Sequence, residues 1–172
     1  NGVAFLTVAL SGNPGTSRTL NIASSNVLAV NALPATLSFN TTNWNIPQSV
    51  LLSGTPDNNI VSESVTITGS GVGLVSDTTT ITANDINTMS IVLSGNPTTV
   101  SEGGVANFNV KLAQEPTPSL TVSLASGTVG SVTVGTASIT FDNVCPGANC
   151  WSTDQVVALT GVEDVNESSE TV

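Results

Sequence analysis

The strongest constraint on this chain is an internal repeat, because one pattern of residues occurs twice along its 172 positions. Residues 3–10, Val-Ala-Phe-Leu-Thr-Val-Ala-Leu, correspond to residues 105–112, Val-Ala-Asn-Phe-Asn-Val-Lys-Leu. Residues 19–24 correspond in the same way to residues 121–126, again 102 positions later. A repeat of about this length predicts two domains of one kind rather than one large domain.

The register of the repeat changes once, and the change coincides with the two cysteines. Trp44 corresponds to Trp151, which is 107 positions later, so five additional residues precede the second tryptophan. This insertion contains Cys145 and Cys150, and we predict that a disulfide closes the loop and indicates an oxidising compartment. Two free thiols are the alternative. A structural zinc site is disfavoured because it needs about four Cys or His ligands and the chain has no histidine.

The two copies of the repeat are not cut at the same point. Repeat 1 continues through two strand-like segments, residues 65–68 and 78–82, which have no full counterpart in repeat 2. Repeat 2 begins with residues 89–93, a segment that repeat 1 lacks. We therefore expect a first domain at residues 1–86 without an opening strand and a second at residues 87–172 without closing strands. Such a chain is interpreted as a piece of a longer array.

Composition and turn spacing predict an all-β fold. Charged residues make up only 8% of the chain, and Ser, Thr, Asn, Val and Gly take their place. Val and Thr favour strands, whereas Asn, Gly and Ser favour turns. Short apolar runs separated by Gly, Asn and Pro recur about every ten residues, which is typical of a β-sandwich or barrel. No stretch keeps a helical period long enough to compete with this interpretation.

Alternation along the strands assigns side chains to the core or to the surface. In repeat 2, the side chains that are expected to face the core are Ala106, Phe108, Val110 and Leu112. The same alternation predicts that four side chains of repeat 1 also face the core, namely those of Ala4, Leu6, Val8 and Leu10. Phe5 then points outward, as does Leu51 on a second strand, and pairing of these strands would join the two into an apolar assembly patch. The alternative is scattered surface hydrophobes, which are common.

Charge and residue types exclude several classes of function. The net charge is −10 with only two basic residues, Arg18 and Lys111, so no nucleic-acid or anionic-membrane surface can be built. No apolar run approaches the length of a membrane span, and we predict no membrane insertion. The lack of histidine removes Ser/His and Cys/His nucleophiles, and neighbouring acids on one loop do not form a glycosidase pair. We therefore predict that the chain is not an enzyme and has no catalytic or cofactor-binding residues.

Several segments together resemble the Calx-beta family, and more closely the Calx-beta-like repeats of long bacterial surface proteins. They are Thr-Val-Ser-Glu-Gly-Gly at 99–104, Ser-Ile-Thr-Phe at 138–141, Gln-Val-Val-Ala-Leu-Thr-Gly-Val-Glu-Asp at 155–164, and Thr-Ile-Thr-Ala-Asn-Asp at 80–85. Residues 37–48 of repeat 1 fit the same pattern. The resemblance covers nearly the whole chain. It implies a seven-stranded, immunoglobulin-like sandwich for each repeat and an extracellular or cell-surface location.

The resemblance also implies calcium at one end of each sandwich. Family ligands are a Glu near the first strand, acids in a late loop, and Asp residues in the linker. The matching positions are Asp57, Glu63 and Asp85 around repeat 1, and Glu102, Glu163, Asp164, Glu167 and Glu170 in repeat 2. Calcium takes about six to eight oxygens, and neither repeat keeps the full family set. In repeat 1, Pro56 and Ile60 stand where repeat 2 has Glu163 and Glu167, and repeat 2 lacks its linker Asp. The alternative is a solvated acidic loop without metal.

The partners of the chain are left open between self-association and ligand binding. Trp44 and Trp151 either close the sandwiches or form a thin sugar-stacking platform. Residues 40–42 and 166–168 are N-glycosylation sequons. We expect an extracellular structural or adhesive repeat segment that self-associates into an array or filament and is stiffened by calcium if the metal binds. The alternative is an adhesin module that binds carbohydrate, such as surface glycans, or a host ligand.

Overall fold

The computed structural model describes residues 2–95, 97, 99–163 and 165, whose backbone consists of strands, turns and loops. Every ladder between named strands is antiparallel, and the sheets pack as sandwich-like domains. No helix occurs among these described residues. The all-β class that the turn spacing predicts is therefore confirmed.

The chain divides into two compact units. Unit 1 comprises Asn1–Asp57 and Val61–Asp85, and unit 2 comprises Asn58–Ile60 and Ile86–Val172. A backbone hydrogen bond of 2.7 Å, donated by Glu115 N to Asn58 O, joins the short segment Asn58–Ile60 to the rest of unit 2. The internal repeat does not predict that Asn58–Ile60 belongs to unit 2, because a repeat alignment compares residues only in their order along the chain.

Unit 1 contains seven described strands in two antiparallel sheets. They are β1 (Val3–Val8), β2 (Arg18–Ser24), β3 (Val30–Leu33), β4 (Thr36–Phe39), β5 (Gln48–Gly54), β6 (Glu63–Ser70) and β7 (Asp77–Ala83). One sheet has the order β1-β5-β3 and the other has the order β4-β2-β6-β7. The core of the unit is centred on Phe39, Val50 and Val65, which are fully buried because apolar side chains alternate along each strand.

Unit 2 contains six strands within the described residues. They are β8 (Ile91–Ser94), β9 (Val105–Leu112), β10 (Leu120–Ser123), β11 (Val132–Val134), β12 (Ser138–Phe141) and β13 (Gln155–Gly161). The sheets have the orders β11-β13-β9-β8 and β10-β12. Val110, Phe141 and Val157 are fully buried and lie in one core cluster.

Five strands are common to both units and pair in the same register. Strands β1 to β5 of unit 1 correspond in order to strands β9 to β13 of unit 2. Leu6 lies opposite Val50 in unit 1, and the corresponding residues Phe108 and Val157 lie opposite each other in unit 2. Since inward side chains repeat every two residues, a shared register means that the same positions face the core in both units.

The loop before the fifth common strand is also held in the same way in both units. Leu10 N donates to Trp44 O over 2.8 Å, and Leu112 N donates to Trp151 O over 2.9 Å. The insertion in repeat 2 therefore leaves the closing hydrogen bond of the strand pair unchanged. The five extra residues are accommodated in the loop that precedes Trp151.

The units differ in the strands that flank this common set. In unit 1, β6 pairs with β2 and β7 pairs with β6, which widens the β4-β2 sheet to four strands. In unit 2, β8 pairs with β9, with Ile91 opposite Leu112. Within the described residues, β1 has no strand at the edge that corresponds to β8, and β10 has none at the edge that corresponds to β6.

Burial follows the flanking strands rather than the sequence of the common ones. Leu112 is 1% exposed in unit 2, where β8 lies beside it, whereas the corresponding Leu10 of unit 1 is half-buried. The other side of the sandwich shows the reverse: Leu52 of unit 1 is 4% exposed, and the corresponding Leu159 of unit 2 is half-buried. Each unit thus has one well-covered side and one less covered side.

The inward phase predicted for the first common strand holds for the large side chains. Leu6, Val8 and Leu10 pack against the core cluster of unit 1. Ala4 is exposed, which differs from the prediction. It is the second residue of β1, and its single methyl group does not reach the core cluster from the margin of the sheet.

Candidate functional site

The outer surface of the β1-β5-β3 sheet carries a row of large apolar side chains. Phe5 lies opposite Leu51, which in turn lies opposite Leu33 on the third strand. Phe5 is 70% exposed and Leu33 is 52% exposed, while Leu51 is half-buried between them. The exposed Val3 lies two positions from Phe5 on the same surface. We call Val3, Phe5, Leu33 and Leu51 the apolar face.

Two members of the apolar face, Val3 and Leu33, are missed by the sequence reasoning. Alternation could have identified both, since Leu33 follows the buried Ala32 and Val3 precedes Ala4 in the inward phase. The sequence could not show that the strands carrying Phe5 and Leu33 lie on opposite sides of the strand carrying Leu51. That neighbour relation comes from the sheet order.

Unit 2 presents a different surface at the same positions. The residues that replace Phe5, Leu51 and Leu33 are Asn107, Ala158 and Gly135. Asn107 lies opposite Ala158, and Gly135 N donates to Ala158 O over 2.8 Å, so the geometry of the row is retained. The exposed Val105 corresponds to Val3 and is common to both units. The continuous apolar row is therefore specific to unit 1.

The acidic positions predicted around repeat 1 lie on three separate segments. Glu63 begins β6 and lies opposite Ala83 near the end of β7. Asp85 follows β7, and its backbone N–H donates to the Ser62 hydroxyl over 3.0 Å, which holds it at the same end of the β6–β7 pair. Asp57 is exposed in the segment after β5. The structure thus brings Glu63 and Asp85 to one end of a strand pair.

Two of the acidic positions predicted in repeat 2, Glu102 and Glu163, lie beside a glycine turn. The exposed Glu102 forms a parallel bridge with Gly161, and Gly103 N donates to Gly161 O over 3.1 Å. Gly103 has a positive φ of 63°, and a Cβ on it would lie 2.6 Å from Glu163 Oε1. The positive φ favours glycine at this position, and the absence of a Cβ leaves room for the Glu163 carboxylate. Glu102 and Glu163 therefore lie along one short stretch of edge.

The described residues do not assemble a complete metal site. No group of three or more His, Cys, Asp or Glu side chains with metal-binding geometry is found among them. Three of the predicted ligands, Asp164, Glu167 and Glu170, lie outside the described residues. Calcium needs about six to eight oxygens, of which Glu102 and Glu163 supply the carboxylates seen at this edge. Calcium binding therefore stays a prediction.

Both tryptophans are half-buried at the start of the fifth common strand. Trp151 packs against the core cluster of unit 2, and its carbonyl accepts the Leu112 hydrogen bond described above. Trp44 is half-buried and accepts the corresponding bond from Leu10. The packing of the Trp151 side chain supports a role in closing unit 2, whereas the bond between Trp44 and Leu10 is made by the backbone. A sugar-stacking role for the pair remains a prediction.

Cys145 and Cys150 form the disulfide predicted from their spacing, with a Cα–Cα distance of 5.1 Å. The loop is anchored at its base, because Asp142 N donates to Asn149 O and Trp151 N donates to Asp142 O. Cys145 is exposed as expected, but Cys150 is only 2% exposed. The disulfide thus joins an exposed insertion to a buried position beside the core.

Comparison with known proteins adds no relative to this description. No family model matches the chain, and no curated protein matches its sequence. The resemblance to Calx-beta repeats therefore stays a prediction that rests on the motifs at residues 80–85, 99–104, 138–141 and 155–164. Within the residues that the structure describes, no helix has the length and apolar character needed to cross a membrane.

Proposed function

We propose that this chain is a structural segment of an extracellular array, in which copies associate laterally through the apolar face. The observation that carries the proposal is the continuous Phe5–Leu51–Leu33 row on unit 1, whose counterpart on unit 2 is Asn107–Ala158–Gly135. Because the two units share strand register, the fold itself does not require this row. A large exposed apolar row that the fold does not need is typical of an interaction surface.

The extracellular part of the proposal is supported by the disulfide and the composition. Disulfides persist in oxidising compartments, and Cys145–Cys150 is such a bond. A low charged content of 8% also suits closely packed neighbours, because few charges need to be desolvated when surfaces meet. A repeated unit adds length without a new design for each domain, which suits an array.

The free energies of burial and of association indicate that one apolar face gives only weak association, and that many aligned faces in an array associate more strongly together. Fully burying a large apolar side chain contributes about 1.5–3 kcal/mol. Association of two molecules costs about 4–15 kcal/mol in lost freedom, which offsets most of what three or four such side chains supply. A single pair of copies is therefore expected to associate weakly. Copies that are already aligned in an array gain from the high effective concentration of neighbouring faces.

The test exchanges the outer residues between the two units. Phe5→Asn with Leu51→Ala gives unit 1 the residues of unit 2, and Asn107→Phe with Ala158→Leu does the reverse. Sedimentation over a concentration series should show association by the wild-type chain, weaker association by the first double variant and stronger association by the second. Val129→Asn removes an equally exposed apolar side chain elsewhere and should behave as wild type.

Two results would contradict the proposed function. One is a wild-type chain that stays monomeric at millimolar concentration, and the other is a first double variant that associates like wild type. Circular dichroism of each variant controls for loss of fold. Because one face that meets its own copy closes a two-fold dimer, the associated species in sedimentation should be a dimer, and longer assemblies require the successive repeats of an array.

A ligand-binding adhesin has less support from the same observations. The two tryptophans are half-buried at the closure of each sandwich, so neither presents a fully open ring for stacking on a sugar. No described feature of unit 1 or unit 2 combines an exposed aromatic cluster with convergent polar groups. The structural role is therefore the function that we propose.

A further inference from the structure

The segment Asn40-Thr41-Thr42 has the pattern of an N-glycosylation acceptor, and it lies on the surface of unit 1. Asn40 follows directly after β4, and the turn that it begins continues through residues 41–45. Asn40 is half-buried, whereas Thr41 and Thr42 are exposed. Lateral association through the apolar face makes no use of this turn.

Hydrogen bonds fix the orientation of the Asn40 side chain. Its Oδ1 accepts from Thr42 N over 2.8 Å, from Thr42 Oγ1 over 2.7 Å and from Asn43 N over 3.1 Å. A backbone N–H can only donate, so the atom at the centre of these contacts is the carbonyl oxygen. The amide nitrogen, Nδ2, is not buried and has no hydrogen-bond partner among the residues that the structure describes. The turn therefore uses the oxygen of the amide and leaves its nitrogen in contact with solvent.

Unit 2 shows which part of this arrangement the fold requires. Asp142 occupies the position that corresponds to Asn40, and Val144 N donates to Asp142 Oδ1 over 3.0 Å. A bond from the residue two positions later thus closes the turn in both units, and a carboxylate serves this purpose as well as an amide. The amide nitrogen of Asn40 and the hydroxyl of Thr42 have no counterpart in unit 2. These are the two groups that define an acceptor sequence.

The turn is held at the end of the β5 strand, away from the apolar face. Asn43 Nδ2 and Gln48 Nε2 both donate to Ser38 O, over 3.1 Å and 2.9 Å. Gln48 begins β5, and Leu51 of the apolar face lies three residues further along that strand, which is about 10 Å. A group attached to Asn40 therefore leaves room for lateral contacts through Leu51.

We propose that Asn40 is a glycosylation site, whose Nδ2 accepts a sugar from a glycosyl pyrophosphate donor. In the transfer, Nδ2 forms a bond to the anomeric carbon of the sugar, and the bond from that carbon to the pyrophosphate oxygen breaks. The pyrophosphate leaves with the electron pair of the broken bond, and one Nδ2 proton passes to a basic group of the transferring enzyme. The three hydrogen bonds at Oδ1 stabilise the negative charge that this oxygen gains as Nδ2 loses its proton.

The disulfide and the composition fit this modification. The bond between Cys145 and Cys150 is typical of an oxidising compartment, and N-linked sugars are carried on surface loops of secreted proteins. A bulky sugar solubilises the surface around it, which offsets the low charged content of 8%. The inference goes beyond the proposed function, because it does not depend on lateral association.

Peptide mapping of the chain isolated from the cells that make it tests the site directly. The peptide that contains Asn40 should carry a sugar, and enzymatic hydrolysis of the sugar–amide bond should leave aspartate at this position. Unmodified chain, produced in cells without the transferring enzyme, is then incubated with membranes or with cytosol of the native cells. Transfer by membranes indicates a lipid-linked donor, and transfer by cytosol indicates a nucleotide-linked donor.

Variants produced in the native cells separate the acceptor sequence from the turn. Asn40→Asp keeps the oxygen that closes the turn, as Asp142 does in unit 2, and should lose the sugar completely. Thr42→Val removes the hydroxyl and should also lose the sugar, whereas Thr42→Ser keeps the hydroxyl and should retain it. Thr41→Val makes the same change one position away and should be modified like wild type. Thermal melting by circular dichroism shows whether any variant changes the fold.

Four outcomes overturn the inference: an Asn40 peptide without sugar in the native chain, a sugar that Asn40→Asp retains, equal occupancy in Thr41→Val and Thr42→Val, or no transfer by either cell fraction. The second outcome would show that a hydroxyl of the turn carries the sugar in place of the amide. Failure of the proposed function is a separate result. Association through Phe5 and Leu51 is measured on the unmodified chain, and it can persist or fail whatever Asn40 carries.

Discussion

Unit 1 and unit 2 place the same five strands in the same register, yet they bury different sides of the sandwich. Leu52 of unit 1 and Leu159 of unit 2 occupy corresponding positions, but Leu52 is buried and Leu159 is half-buried. Leu10 and Leu112 show the opposite relation. Burial at these positions thus follows the additional strand of each unit: β8 pairs with the strand that carries Leu112, and β6 contributes to the core cluster that contains Leu52. A repeat alignment identifies core positions but does not show how completely each one is covered.

The largest expected effect is at the side of unit 2 that β8 covers. Leu112→Ala should destabilise unit 2 by an amount near the upper end of about 2–5 kcal/mol, because a well-packed site leaves a cavity. Leu10→Ala should cost unit 1 roughly half as much, since its side chain is already partly in solvent. Denaturant unfolding followed at a single tryptophan, with Trp151→Phe or Trp44→Phe removing the other signal, measures each unit separately.

Equal costs for Leu10→Ala and Leu112→Ala would show that β8 does not protect the edge in solution. The comparison is internal, because each single-tryptophan chain carries its own reference. The two units need not unfold together, so a single midpoint for the whole chain is not used.

The second prediction concerns the opposite side of the sandwich, where we expect unit 1 rather than unit 2 to lose more stability on substitution. Leu52→Ala should destabilise unit 1 by about 3 kcal/mol, whereas Leu159→Ala should cost unit 2 clearly less. The physical reason is that Val65 and Ile67 of β6 close the core next to Leu52. Together the two predictions require that the substitution at Leu112 costs more than that at Leu10, and that the substitution at Leu52 costs more than that at Leu159. A unit that is more sensitive at both positions would mean that overall stability, rather than strand coverage, decides the cost.

The sequence predicts the fold class and the inward phase of the strands, because both depend on local alternation. The period of two in residues 105–112 identifies the inward side chains, and the repeat transfers this phase to Leu6, Val8 and Leu10. Phe5 follows as an outward residue for the same reason. These inferences need only the pleat of a strand, which is a property of consecutive residues.

The sequence does not predict features that depend on which strands become neighbours. Leu33 joins Phe5 and Leu51 because β5 lies between β1 and β3, and sheet order is not written in the alternation of any single strand. The burial of Cys150 is also missed, because the spacing of the two cysteines predicts the bond but not the exposure of either residue. The resemblance to Calx-beta repeats also predicted two sets of calcium ligands. The described structure brings only some members of each set to the same part of a unit.

The third prediction concerns the insertion that unit 1 lacks. Replacing Cys145 and Cys150 by serine opens a loop with a sequence separation of 5 and should destabilise unit 2 by about 2 kcal/mol in the chain-entropy estimate. The stability of unit 1, followed at Trp44, should not change. Mass spectrometry of unreduced wild-type protein should find no free thiol. A loss of stability in unit 1 as large as that in unit 2 would show that the loop does more than anchor its own sandwich.

The smallest expected change in stability is the one caused by calcium. Measuring it separately in each unit compares the acidic ends of unit 1 and unit 2. Glu102 and Glu163 lie along one edge beside Gly103, and extracellular calcium modules bind with dissociation constants of about 0.1–1 mM. At the tighter limit, 1 mM calcium stabilises the folded state by about 1.4 kcal/mol relative to chelator.

We expect this shift in unit 2, followed at Trp151, and its loss when Glu102→Gln and Glu163→Gln are combined. Glu115→Gln removes one carboxylate elsewhere in unit 2 and should retain the shift, whereas Glu102→Gln or Glu163→Gln alone, which changes the charge equally, should reduce it. Magnesium at equal concentration should stabilise less, because it prefers a smaller and more rigid oxygen shell. Following Trp44 in the same samples tests Asp57, Glu63 and Asp85 in unit 1. A melting temperature that is the same in chelator and in millimolar calcium at both tryptophans would exclude calcium as a stiffening element and leave the acidic edges as solvated surfaces.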